Sequence, residues 1–154
     1  IKIKKLGFKN ISLNKMFENC EIIYVLATVT TKNKNFIDKK LLNKMKPNYC
    51  FVLMSRAAVV NFKDLINTVK KRNIFVATDV FPEERVPKKS SLRKVKNILF
   101  SAHRAGALKS AFLNMGEIVL KDMNLIRKNL KPKFCKIANK RTVNLIASKP
   151  VAIN

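Results

Sequence analysis

Glycine is scarce in this chain. Gly7, Gly106 and Gly116 are the only three in 154 residues, and none belongs to a G-x-G-x-x-G turn. A loop that brings backbone close to a pyrophosphate at a helix N-terminus is therefore missing from the sequence. Tryptophan is absent and aromatics amount to 8%. Few of them interleave with the basic residues, so no stacking platform for single-stranded nucleic acid is evident. There is one histidine, His103, and the three cysteines Cys20, Cys50 and Cys135 are scattered. That set offers no metal-ligand spacing, so no metal site is expected. An odd cysteine count argues against a disulfide framework and points to a reducing, cytoplasmic setting. The longest apolar stretch, Ile22 to Val29, is far too short to cross a bilayer, and no signal-peptide pattern is present; no membrane partner is expected.

Acidic residues are also few: 9 against 33 Lys plus Arg, a formal net charge of +24. Such a charge suits a polyanion-binding surface. The lysines, however, run through every segment instead of gathering on one stripe or tail, which reads as a drift in composition toward Lys and Asn. No specific nucleic-acid partner is expected, although nonspecific adhesion to anionic polymers at low salt is.

What the chain does contain is a globular pattern. Hydrophobic content is 47%, and a chain of this length can bury roughly 70% of its extended surface. Branched apolar runs at Ile22–Ala27, Tyr49–Met54, Ile74–Asp79 and Asn97–Ser101 read as strands, the first suited to cover on both faces. Asp38 can cap a short helix through Leu41, Leu42 and Met45 that Pro47 stops. Asn61 can cap a helix with Leu65, Ile66 and Val69 on one face, ending at Arg72-Asn73, where Asn tolerates a left-handed turn. A long helix from about Ala107 to Leu130 puts Leu108, Ala111, Phe112, Met115, Ile118, Val119, Met123 and Ile126 on one face. Strands alternating with helices predict an α/β fold: a mostly parallel, Rossmann-like sheet with flanking helices. After Pro132 the pattern weakens into a basic tail with a short apolar patch at Val143–Ala147.

Three residues that come after such strands could act together. Arg56 comes after Phe51–Ser55, Glu84 after Ile74–Phe81, and His103 after Ile98–Ala102. Arginine can grip a carboxylate with two parallel hydrogen bonds. A histidine paired with a glutamate can move a proton near neutral pH. In a parallel sheet, residues just past the strand C-termini line the ligand crevice. Asp79, Glu83 and Glu84 also form a local acidic patch in an otherwise basic chain.

The runs Met45-Lys46-Pro47, Ser55-Arg56-Ala57-Ala58-Val59-Val60, Asp79-Val80-Phe81-Pro82-Glu83-Glu84 and Ser101-Ala102-His103-Arg104-Ala105-Gly106 resemble, in order and in register, the D-isomer-specific 2-hydroxyacid dehydrogenases. The similarity extends from about Glu21 to about Arg127. It implies an NAD-dependent oxidoreductase, with NADP left open, that moves a hydride between nicotinamide and a small 2-hydroxy or 2-oxo acid, in a homodimeric whole protein. The resemblance makes Arg56, Glu84 and His103 the catalytic set: Arg56 holds the acid, His103 transfers the proton and Glu84 steadies the imidazolium. It places Thr28, Val29, Met54, Ser55, Arg56, Asp79 and His103 at the cofactor, with Asp79 toward the nicotinamide carboxamide and Thr28-Val29 toward the adenosine. Glu83 is one residue out of register. Ala57 stands where the family usually has Gly, and Arg85 where it commonly has Pro.

Neither the glycine-rich turn nor the family's substrate-binding domain is present, and the chain begins with Ile1. The expectation is therefore a fragment: residues 1–130 as the second half of the dinucleotide-binding domain and 131–154 as the basic tail, inactive alone. The alternative is a noncatalytic remnant or a basic polyanion-binding module that keeps the fold.

Overall fold

The computed structural model describes residues 7–84 and 86–135. Four parallel strands, β1 (Ile22–Val25), β2 (Cys50–Leu53), β3 (Phe75–Thr78) and β4 (Ile98–Phe100), form one sheet in the order β1-β2-β3-β4. Each falls inside the run the sequence marks as a strand, one or two residues short at one or both ends. The register aligns Ile23, Phe51, Val76 and Ile98 across the sheet, and Val25, Leu53, Thr78 and Phe100 two residues on. Side chains alternate along a strand, so these two rows share a face.

Strands that pair with their sequence neighbours through right-handed crossovers put their connections on the same side. The helices obey this. Helix α1 (Leu13–Asn19) is capped by Ser12, whose side chain accepts from Lys15 N–H, and it buries Phe17 against Phe51 with ring centroids 6.2 Å apart. Helix α2 (Lys39–Leu42) starts at Asp38, whose carboxylate accepts from the Lys40 and Leu41 N–H groups. Helix α3 (Phe62–Arg72) starts at Asn61, which accepts from Asp64 N–H, and ends at Asn73 with φ 50°. Leu42, Met45, Leu65 and Ile74 are fully buried between these helices and the sheet.

The other face is not covered as the sequence reading expects. Ile22, Tyr24, Phe75 and Leu99 point away from the helices and are exposed, Tyr24 at 65% and Leu99 at 72%. No described helix lies there, because every crossover goes to the opposite side. The last helix, α4 (Lys109–Arg127), starts two residues later and ends three residues earlier than its periodicity suggests. Its apolar residues Phe112, Met115, Val119, Met123 and Ile126 are all exposed. Amphipathic spacing prescribes a face, not the surface that meets it. The apolar patch at Val143–Ala147 lies outside the described residues.

At the N-terminal edge of the sheet, Asn48, Asn73 and Asn97 each adopt a left-handed backbone, with φ of 67°, 50° and 63°. They stand one or two residues before β2, β3 and β4 in turn. Asn73 Nδ2 donates to Asn48 Oδ1 at 2.9 Å, and Asn97 Nδ2 to Asn73 Oδ1 at 3.0 Å. One amide ladder thus ties the entries of three strands, using the residue type that tolerates this conformation after Gly.

Candidate active site

All four strands run the same way, so the residues beyond their C-terminal ends collect at one edge. Arg56 lies just past β2 and opens a short 3₁₀ turn, Ala57–Val59. Asp79 directly follows β3, and His103 lies just past β4. Glu84 sits on the loop between β3 and β4. His103 Nδ1 and Glu84 Oε1 are 3.1 Å apart, with both side chains about a third exposed. That is an acid–base pair in close contact, partly open to solvent.

Asp79 is buried at 2% exposure. Its Oδ1 accepts from Arg104 N–H at 2.8 Å and its Oδ2 from Ala105 N–H at 2.9 Å. These are the two residues after His103, whose φ of 55° is left-handed. The pair of N–H groups makes a small anion nest. Burial by itself raises the Asp79 pKa, but the Ser101 hydroxyl, the Ala105 and Arg104 N–H groups and the charge of His103 outweigh it, and the carboxyl sits below its ordinary value. The nearest partners of Asp79 are thus the backbone that carries His103.

The loop after β1 is tied to the Arg56 loop. Asn33 accepts from Thr30 N–H at 2.6 Å and donates to Thr28 O at 2.8 Å. Asn35 N–H donates to Ala58 O at 2.8 Å, and Ile37 bridges to Val60. Between these loops lies a cleft of about 490 Å³ whose lining includes Val29, Arg56, Phe81, Pro82 and Glu84. Phe62 and Phe81 also line it, and they form an aromatic row with Phe100, with centroids 6.3 and 5.9 Å apart. Arg56 is exposed, and its Nη1 donates to Ser55 O at 2.7 Å, which leaves its other N–H groups available.

Arg56, Asp79, Glu84 and His103 are thus brought to one edge, and Val29 joins Arg56 and Glu84 at the cleft. Met54 and Ser55 lie at the end of β2 beside them. Ser55 Oγ is buried and has no hydrogen-bond partner among the described residues. A buried hydroxyl left unpaired costs on the order of 1–3 kcal/mol. An orphan at this edge fits a polar ligand group, such as the carboxamide end of a nicotinamide. Thr28, at the far side of the β1 loop, offers its carbonyl to Asn33 and does not line the cleft. Glu83 makes no ion pair or side-chain hydrogen bond among the described residues. Arg85 lies outside the described residues. Among those described, no cluster of His, Cys, Asp or Glu could hold a metal ion, and no helix is long and apolar enough to cross a membrane.

Two features escape the sequence reading. Helix α1 is one; its only signal is the Ser12 cap followed by Phe17. The other is Asp122 on α4, buried at 4% exposure. Its carboxylate accepts from the N–H groups of Lys133, Phe134 and Cys135, at 2.7, 3.0 and 2.5 Å. The start of the basic tail is thereby folded back onto α4. Burial opposes ionisation there, yet these bonds and the Cys135 thiol draw the Asp122 pKa down to about 2.

Comparison with known proteins agrees with this geometry. The family model described as the D-isomer specific 2-hydroxyacid dehydrogenase NAD binding domain matches residues 1–105, ending two residues past His103. A glyoxylate reductase from Korarchaeum cryptofilum is 29% identical over 121 residues, covering 78% of this chain and 36% of that protein. A 2-hydroxyacid dehydrogenase homolog from Zymomonas mobilis is 27% identical over 135 residues, covering 79% of this chain and 41% of that protein. The crystal structure of a phosphoglycerate oxidoreductase from Rhizobium etli superposes with a TM-score of 0.80 and 38% identity, over 90% of this chain and 42% of that one. This chain thus spans about two fifths of the proteins it matches. With the strand edge, the Glu84–His103 pair and the match over residues 1–105 taken together, the chain belongs to the NAD-binding domain family of the D-isomer specific 2-hydroxyacid dehydrogenases.

Proposed function

We propose that this chain is the second half of the dinucleotide-binding domain of an oxidoreductase acting on the CH–OH group of 2-hydroxy acids. Residues 1–130 would form that half and 131–154 a basic tail. The observation that carries the reading is the 3.1 Å contact between His103 Nδ1 and Glu84 Oε1, at the same strand edge as the exposed Arg56 guanidinium.

In this reading Arg56 binds the substrate carboxylate through two parallel hydrogen bonds and fixes the acid in a near-attack geometry. His103 takes the hydroxyl proton through Nε2 during oxidation and returns it during reduction; its Nδ1 faces Glu84. Glu84 holds the ring orientation and stabilises the imidazolium that forms. Asp79 fixes the turn on which His103 stands. The orphaned Ser55 hydroxyl, with Met54 beside it, meets the nicotinamide end of the cofactor, and Thr28-Val29 lie toward its adenosine end. NAD, when bound, supplies the hydride chemistry. With no glycine-rich turn to hold the pyrophosphate, the chain alone binds NAD weakly and does not turn over. The cytoplasmic setting rests on cysteine usage, and the homodimer on the family resemblance alone.

The test is NADH oxidation by the protein in full with a panel of 2-oxo acids, beside its His103→Gln variant. Acid-dependent oxidation that the substitution abolishes is the expected result. Acid-dependent oxidation at equal rates in both proteins would assign the proton transfer elsewhere, and no oxidation with any acid would leave the noncatalytic, polyanion-binding reading, for which the +24 charge speaks.

A further inference from the structure

The sheet edge opposite the candidate active site carries a concentration of charge that the proposed chemistry does not use. Each of β2, β3 and β4 is entered through a short stretch that ends in one of the left-handed asparagines: 44–48, 70–73 and 94–97. Seven of these thirteen residues are Lys or Arg, against 33 of 154 in the whole chain, and none is acidic. An even drift in composition does not produce that density. Lys44 is paired with Glu18 at 2.7 Å. Lys46, Lys70, Lys71, Lys94 and Lys96 are exposed and make no ion pair among the described residues. Glu21 stands at the entry of β1, so the basic row belongs to the other three strands.

The amide ladder fixes the spacing of that row. Asn48, Asn73 and Asn97 hold the three entries side by side through their two side-chain hydrogen bonds. Neighbouring strands stand about 4.8 Å apart, so the row is about 10 Å long. Lys46 Nζ lies 5.9 Å from the centroid of the Tyr49 ring, which keeps its charge at the edge. Lys70, Lys71 and Arg72 also suit the negative end of α3. Lys46 and Lys96 end no such helix, so the helix dipole does not account for the row.

We propose that this edge binds the sugar–phosphate backbone of a nucleic acid without reading its bases. Along one DNA strand the charges recur every 3.4 Å or so, and a row of about 10 Å faces about three phosphates. The ammonium groups neutralise them and release their counterions. The asparagine amides keep N–H groups beyond those of the ladder, and these can donate to phosphate oxygens. A lipid surface fits the edge less well. The edge is polar, and the exposed Ile22, Tyr24, Phe75 and Leu99 project from the sheet face instead. Arg56 and His103 lie beyond the other ends of the strands, so this inference does not depend on the catalytic reading.

The experiment is fluorescence anisotropy of the protein in full with a labelled DNA duplex of arbitrary sequence, at salt concentrations from about 0.05 to about 0.2 M. Two triple variants with the same loss of charge are compared. Lys46→Gln/Lys71→Gln/Lys96→Gln removes exposed cations at the edge, and Lys32→Gln/Lys89→Gln/Lys109→Gln removes exposed cations away from it. The edge variant should bind tenfold or more weaker at about 0.1 M salt. Its slope of log affinity against log salt should be shallower by about 2–3, as expected for three lost phosphate contacts. The other triple should change that slope by less than about 1. Vesicles of phosphatidylserine and phosphatidylcholine should bind the protein more weakly than the duplex does. Equal losses in the two triples would mean diffuse charge and would refute a binding edge. Tighter binding to the vesicles, or no binding to the duplex at about 0.05 M salt, would overturn the proposal as well.

Discussion

Asp79 makes no direct hydrogen bond to His103, yet it holds the next two peptide N–H groups along the chain, at 2.8 and 2.9 Å. The left-handed turn of His103, at φ 55°, is uncommon for a side chain of its size and is fixed by a buried carboxylate. The orientation of the His103 imidazole and the ionisation of Asp79 are therefore linked.

Removing that link should be measurable. Asp79→Asn keeps one acceptor and loses the charge. A loss of about 1–3 kcal/mol is expected in urea unfolding, since hydrogen bonds to a charged group are at stake. In the full protein the same change should lower kcat with less effect on the KM of the acid, because Arg56, the proposed anchor, is untouched.

Stability should also respond to acid with a definite sign. The folded pKa of Asp79 lies below its ordinary value of 3.8. Its contribution is complete above that value and is lost as pH falls through the lower, folded one. Asp122, drawn down to about 2, behaves in the same direction over a window reaching lower still. Thermal unfolding from neutral pH down to acid should show stability falling below the ordinary carboxylate range, and Asp79→Asn should flatten the upper part of that fall.

His103→Gln in the full protein should reduce turnover by roughly 10²–10⁴-fold, the range of general acid–base catalysis, and leave cofactor affinity nearly intact. Arg56→Lys should chiefly raise the KM of the acid, because an ammonium cannot make the two-pronged contact. Steady-state kinetics with NADH and a 2-oxo acid separate the two. Unchanged kcat in the His103 variant would assign the chemistry elsewhere.

The clamp on α4 can be opened separately. Asp122→Asn should speed amide exchange at Lys133, Phe134 and Cys135. The Cys135 thiol is pushed up by burial and by the Asp122 hydrogen bond and charge, so the same variant should alkylate faster there near pH 8. Cys20 and Cys50 serve as internal references.

Much of the architecture was legible because it is written in local chemistry. Asp38 and Asn61 cap the helices the sequence assigns to them, and Asn73 takes the left-handed turn expected of it. The four strands were legible from branched apolar runs, although Leu26 and Ala27 lie beyond the end of β1. The positions of Arg56, Glu84 and His103 came from one rule, that parallel strands deliver the residues past their C-terminal ends to one edge. The features that were not legible depend on the third dimension. Two-sided cover of the sheet was inferred from the apolarity of Ile22–Ala27, but cover depends on which side the crossovers take. The Asp122 clamp joins a helix to a tail with no periodic signal. Asp79 could be read as a ligand group, and its bonds to Arg104 and Ala105 could not be seen without the turn at His103.

The uncovered sheet face sets a colloidal balance. Ile22, Tyr24, Phe75 and Leu99 offer a flat apolar patch on a body with a net charge of +24. Mutual repulsion keeps such bodies apart at low ionic strength. At about 1 M salt the screening length shrinks to about 3 Å, and face-to-face clustering should become visible as rising light scattering. Tyr24→Lys should delay that onset at almost no cost to folding, whereas Leu65→Ala, in the core, should cost about 2–5 kcal/mol.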